Sequence, residues 1–165
     1  MNETVKIIAR NGIVAALYFA LTMLIYPLSF GMIQIRVSEV LVLLCFYRKD
    51  YTIGLTIGCA VANLFSGMPL DVLIGSAATL IACLGISFSK HLWVACLFPV
   101  VANGLIIGAE LVMFAGEESF WVAAGFVALG ELGAMILGYI LFFILRKRTR
   151  LLDLLGANQN REFKC

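Results

Sequence analysis

Apolar residues fall into six blocks along this chain, separated by short polar breaks. The first covers residues 7–30 and stops at Gly31. The second, 37–47, stops at Arg48-Lys49-Asp50, and the third, 51–65, stops at Ser66-Gly67-Met68-Pro69. A fourth follows Asp71 and fades over 87–90; a fifth, 91–115, precedes Glu117-Glu118. The sixth, 120–145, ends at Arg146-Lys147-Arg148. No block alternates with a period of two, so a closed barrel fits poorly. Helices are the other structure that satisfies its own backbone hydrogen bonds in lipid. The pattern predicts an all-α integral membrane protein with six transmembrane helices, a membrane domain over 1–150 and a tail over 151–165. The second block is short for a crossing of about 30 Å. It is expected to begin inside the preceding loop, or to be tilted and shielded by protein.

Composition agrees. The 165 residues are 62% hydrophobic and 13% charged, with mean hydropathy +1.03. A soluble domain is about 45–50% apolar and about 25% charged, so an ordinary soluble enzyme is excluded. Disorder needs the opposite composition. A net charge of +2 gives no reason to expect nucleic acid. Its distribution is more telling. Lys6, Arg10, Arg48, Lys49, Lys90, Arg146, Lys147, Arg148, Arg150, Arg161 and Lys164 fall on one side of the predicted bundle, and Arg36 alone on the other. The positive-inside rule then makes the N and C termini cytoplasmic. Trp93 and Trp121 read as interfacial anchors.

Ionisable residues at membrane depth are costly and tend to mark sites. Arg36 and Glu39 open the second helix, Asn63 ends the third, and Asp71 starts the fourth with Ser76 and Thr79 deeper. Asn103 and Glu110 lie on the fifth helix and Glu131 near the middle of the sixth. All lie at mid-depth or above, and the inner halves are almost purely apolar. A channel or a proton relay needs polar residues along its whole length. The pattern describes an acidic cup, open outward and sealed inward, suited to a cation or to a ligand edge rich in N–H donors. Simpler roles stay open. Glu39 and Asp71 suit a helix first turn, Glu110 can snorkel to the interface, and Asn63, Asn103 and Glu131 can hydrogen-bond between helices. Tyr18 and Tyr26 either line the cup or face lipid.

Gly12, Ala16 and Ala20 recur every fourth residue and share one helix face. Such stripes allow close helix approach, within the chain or with a partner; Gly54, Gly58 and Ala62 form another. The cysteines, Cys45, Cys59, Cys83, Cys96 and Cys165, form no CxxC pair and read as small apolar packers. The single histidine, His91, excludes a His-rich metal site. No GxxxxGK[ST] loop is present, so an ATP motor must lie on other chains. No cofactor, metal site or catalytic set is expected.

The stretch Gln34-Ile35-Arg36-Val37-Ser38-Glu39-Val40-Leu41 resembles the loop-to-helix signature of the QueT family, the substrate-binding S components of energy-coupling factor (ECF) transporters. The resemblance continues through residues 54–64, Asp71, residues 75–80, Pro99–Asn103 and Gly130-Glu131, spanning roughly 9–145. Residues 45–51 depart from it, with charges where a proline-containing turn is expected. The resemblance implies an S-component bundle whose outward site is capped by the loops joining helices 1–2, 3–4 and 5–6. It implies a queuosine precursor, queuine or another 7-deazaguanine, as ligand. It also implies the transmembrane coupling protein EcfT and two ECF ATPase subunits as partners, with Ala16 and Ala20 matching the family's EcfT-contacting motif. Glu131 or Glu39 would take the base's paired N–H groups, Asn63 and Asn103 its other edge, and Asp71 or Glu110 a cationic substituent. Arg36 would pair with Glu39. The rival reading is a stand-alone secondary transporter driven by ions through Glu131 and Glu110.

Overall fold

Breaks in the hydrogen-bond ladder set the ends of the helices. The computed structural model describes residues 2–31, 34–117 and 119–145. Helix α1 spans Glu3–Leu24, with the Asn2 side chain accepting from the Thr4 N–H at 3.3 Å as its cap. The apolar run continues to Phe30, but Pro27 has no N–H to extend the ladder. The chain instead makes a separate turn over Tyr26–Ser29. Helix α2, Val37–Tyr47, is wound as a 3-10 helix over Val37–Leu43 and as an α-helix over Leu44–Tyr47. Helices α3, Tyr51–Asn63, and α4, Asp71–Phe88, follow. Helix α5, Leu92–Phe114, is interrupted at Cys96, where Pro99 cannot donate to the Ala95 carbonyl. Helix α6 spans Phe120–Leu145.

The described residues are helical, with no strand among them. Helices α1, α4, α5 and α6 have 22, 18, 23 and 26 residues and are apolar enough to cross a membrane; α2 and α3 are shorter. At about 1.5 Å per residue the four long helices reach about 27–39 Å, comparable to a hydrocarbon core of about 30 Å. The basic tail from Arg146 onward, including Arg150, Arg161, Lys164 and Cys165, lies outside the described residues.

Packing closes the helices into a ring in the order α1, α3, α4, α5, α6, α2 and back to α1. Helix α2 also touches α3 and α4, so it runs through the middle of the bundle. Every residue from Val42 to Tyr47 is buried, as a helix apolar on all sides requires. The short second block is thus shielded by protein. Close approach of α3 to α1 depends on glycine. A Cβ at Gly54 or Gly58 would lie 2.7 Å from the Asn11 carbonyl oxygen or 2.8 Å from that of Ala15.

Burial is inverted relative to a soluble protein. Leu24, Leu73, Met113 and Trp121 are each more than 70% exposed, whereas Glu39 and Thr22 are fully buried. An apolar exterior of this kind suits a lipid surrounding, where buried ionisable groups are costly. The two ends of the bundle differ. Toward the end bearing residues 48–50 and 89–91, the core is apolar, built on Leu43, Leu44, Phe46, Ile86, Met135 and Phe142. The opposite end, where residues 25–31, 34–36, 64–70 and 115–117 lie, holds the buried acids.

Candidate functional site

The polar layer is organised around the 3-10 turn of α2, which carries Glu39. Facing it, Tyr18 and Thr22 sit one turn apart on α1. The Tyr18 hydroxyl donates to Glu39 Oε1. Thr22 Oγ1 donates to the Tyr18 carbonyl at 2.9 Å and lies 2.7 Å from the Ser38 hydroxyl. Ser29 Oγ donates to the Thr22 carbonyl at 2.9 Å. Arg36 Nε donates to the Ser29 carbonyl at 3.2 Å, with the guanidinium 5.2 Å above the Phe30 ring. The expected Arg36–Glu39 ion pair does not form. The arginine fastens the α1–α2 connection through a backbone carbonyl, and Glu39 takes its donor from α1. Even so, the charge of Arg36 acts on Glu39, Glu110 and Glu131 alike.

Two asparagines join neighbouring helices. Asn103 Nδ2 on α5 donates to Glu131 Oε1 on α6 at 2.7 Å. Asn63 Nδ2 donates to the Asp71 carbonyl at 2.8 Å, closing the α3–α4 connection. Gly75 makes room for that amide, since a Cβ there would lie 2.5 Å from it. Ser76 donates to the Val72 carbonyl of its own helix, and Thr79 Oγ1 donates to Cys59 Sγ at 3.2 Å. Tyr26 faces outward, half-exposed, with its hydroxyl donating to the Phe65 carbonyl at 2.8 Å.

All seven residues singled out in the sequence, Arg36, Glu39, Asn63, Asp71, Asn103, Glu110 and Glu131, are buried. Glu110 does not snorkel; it is 2% exposed. Several of their acceptor atoms have no donor. Glu39 Oε2, Asn63 Oδ1, Glu131 Oε2 and both carboxylate oxygens of Glu110 are buried without a hydrogen-bond partner. Unsatisfied buried groups are rare in native structures and each calls for a cause. Above this layer lies a cavity of about 210 Å³. Phe30 and Gln34, Ser66 and Met68, and Ala115 and Glu117 bring all three upper connections to its wall. Drug-sized ligands occupy about 300–1,000 Å³, so this volume suits a small one. Of the seven residues only Asp71 lines it; the other six lie buried around or below it.

Thr22 and Ser38 are not among the expected site residues, and Tyr18, left open between cup and lipid, faces inward. The four-residue spacing of Tyr18 and Thr22, on the helix face that also carries Asn11, was the available signal.

A family model described as the QueT transporter matches residues 8–147. The chain belongs to the QueT transporter family. A relative from Lactococcus lactis subsp. cremoris (strain MG1363), named queuosine precursor transporter QueT, is 34% identical over 161 residues, covering 87% of this chain and 94% of the relative. No solved structure matches the chain.

For a QueT transporter, the outer face of α1 is also of interest. Gly12, Ala16 and Ala20 are exposed, and no atom lies within 4 Å of where a Gly12 Cβ would be. The stripe on α3 has the opposite fate: Gly54 and Gly58 are covered by Asn11 and Ala15 of α1. One small-residue stripe is used inside this family member, and the other is left open on its surface.

Proposed function

We propose that this chain is the substrate-binding subunit of an ATP-driven ECF importer in the cell membrane, with queuine or a related 7-deazaguanine as its ligand. The name of the Lactococcus relative supports the ligand class. The observation that carries the reading is the set of buried acceptors without donors, above all Glu39 Oε2, Asn63 Oδ1 and Glu131 Oε2. A 7-deazaguanine supplies the missing donors. Its ring N–H and exocyclic amine lie side by side, and one carboxylate accepts both in a charge-assisted pair. Glu131 is suited to this, with Asn103 fixing one of its oxygens. Amides both donate and accept, so Asn63 and Asn103 serve the ring carbonyl and the remaining edge. Arg36 offsets the negative charge of the layer.

In this reading the chain crosses the membrane six times with both termini in the cytoplasm, following the distribution of Lys and Arg. The cavity end then faces outward and the apolar core blocks passage inward. ATP hydrolysis by two ATPase subunits, transmitted through EcfT, reorients the chain for release. The open stripe Gly12, Ala16, Ala20 is the EcfT contact, a role that its exposure supports.

Mass spectrometry of small molecules co-purifying with the chain, followed by titration with queuine, tests the ligand. Uptake of labelled queuine into vesicles tests the coupling. Uptake is expected only with EcfT, both ATPases and ATP present. Ion-driven uptake by the chain alone would overturn this reading in favour of a secondary transporter.

A further inference from the structure

Phe30 ends the short turn Tyr26–Ser29 and stands on the wall of the cavity above the acids. It belongs to neither apolar core cluster, so interior packing does not account for a large ring there. The ring is held from two directions. Tyr26 meets it at 5.1 Å between centroids, tilted by 55°. The Arg36 guanidinium lies 5.2 Å above it. Arg36 is itself fixed, being 6% exposed with its Nε donating to the Ser29 carbonyl at 3.2 Å.

An aromatic face carries negative charge density, and a cation over one face draws that density toward itself. The opposite face then repels a second electron-rich ring less. With Arg36 on one face and the cavity beside the ring, the surface left to a ligand is flat, apolar and suited to a planar, electron-rich heterocycle. Phe126 lines the same cavity from α6, five residues before Glu131, or about 7.5 Å along the helix axis. A bicyclic base held at that level has its N–H edge within reach of Glu131.

We propose that Phe30 is the stacking platform for the flat face of the ligand's base, with Arg36 as a positioning residue behind the ring. This rests on the ligand class proposed above and adds a face contact to the edge contacts assigned there. It also gives Arg36 a task at the site that needs no ion pair with Glu39.

The test uses the full chain in nanodiscs carrying Trp93→Phe and Trp121→Phe, so that Phe30→Trp supplies the single indole. Both replaced residues are exposed and lie off the cavity wall. Queuine is the probe, and its binding is expected to quench the indole emission in step with occupancy. Base–aromatic stacking contributes enough for Phe30→Leu to weaken queuine binding about five- to a hundredfold in calorimetry, whereas Phe30→Tyr keeps wild-type affinity. An unchanged Tm without ligand shows that the variants are folded. Should Phe30→Trp fail to bind queuine, the leucine and tyrosine variants decide alone. Binding without quenching, wild-type affinity in Phe30→Leu, or equal losses in Phe30→Leu and Phe30→Tyr overturns the platform and leaves the ligand class standing. If queuine does not bind the wild-type chain, the ligand class fails and the platform with it.

Discussion

Asn103 Nδ2 lies 2.7 Å from Glu131 Oε1, joining α5 to α6 through one oxygen of a carboxylate whose other oxygen has no donor. One oxygen is anchored by Asn103 and keeps a lone pair for a second donor, and the other is wholly open, so the carboxylate both joins the helices and can take a pair of ligand N–H groups. Glu131→Gln preserves an acceptor for Asn103, so thermal stability in detergent is expected to hold. Queuine affinity, read by calorimetry, should fall about ten- to a hundredfold. Unchanged affinity would remove Glu131 from the site. Asn103→Leu leaves the whole carboxylate unsatisfied and should lower stability by about 1–3 kcal/mol.

Tyr18→Phe removes the hydroxyl that donates to Glu39 Oε1 and also meets the Cys59 thiol, and leaves the buried ring in place. Leaving a buried carboxylate oxygen without its donor should lower stability by about 1–3 kcal/mol, seen as a drop in Tm of the purified chain. An unchanged Tm would mean that the contact between α1 and α2 does not contribute to holding the bundle.

Gly58→Val places a side chain where a Cβ would already lie 2.8 Å from the Ala15 carbonyl oxygen. Forcing α1 away from α3 should destabilise by about 1–3 kcal/mol or more. Gly12→Val, one helix face away with nothing within 4 Å, should leave the Tm of the isolated chain unchanged. Equal effects of the two variants would contradict the different roles of the two stripes.

Ala16→Leu and Ala20→Leu lie on the exposed face of α1. Both are expected to leave queuine binding and Tm of the isolated chain unchanged while abolishing co-purification with EcfT and the ATPases. Intact complexes from both variants would move the partner surface elsewhere.

Helix positions were largely legible because charge, glycine and proline interrupt the apolar blocks. The breaks at Arg48-Lys49-Asp50 and around Ser66 to Pro69 bracket α3 closely. The end of α1 was not visible in hydropathy, since residues 25–30 remain apolar and a single missing N–H at Pro27 decides it. The 3-10 winding of Val37–Leu43 was also hidden, because its composition is that of any buried helix. Inward burial of the seven polar residues was legible from the cost of exposing them to lipid. Their pairing was not. Arg36 binds the backbone carbonyl of Ser29, a partner with no side-chain signature, and Tyr18 supplies Glu39 from a position that pattern alone left undecided.

Pitch gives the central helix a mechanical property. A 3-10 helix rises about 2.0 Å per residue and an α-helix about 1.5 Å. Glu39 stands five residues above Leu44, where the winding changes. With the lower end fixed, rewinding those five residues would draw its carboxylate down by about 2.5 Å. That displacement is enough to pull Glu39 away from Tyr18. The winding of the upper half of α2 and the contact between Glu39 and Tyr18 are thereby geometrically linked.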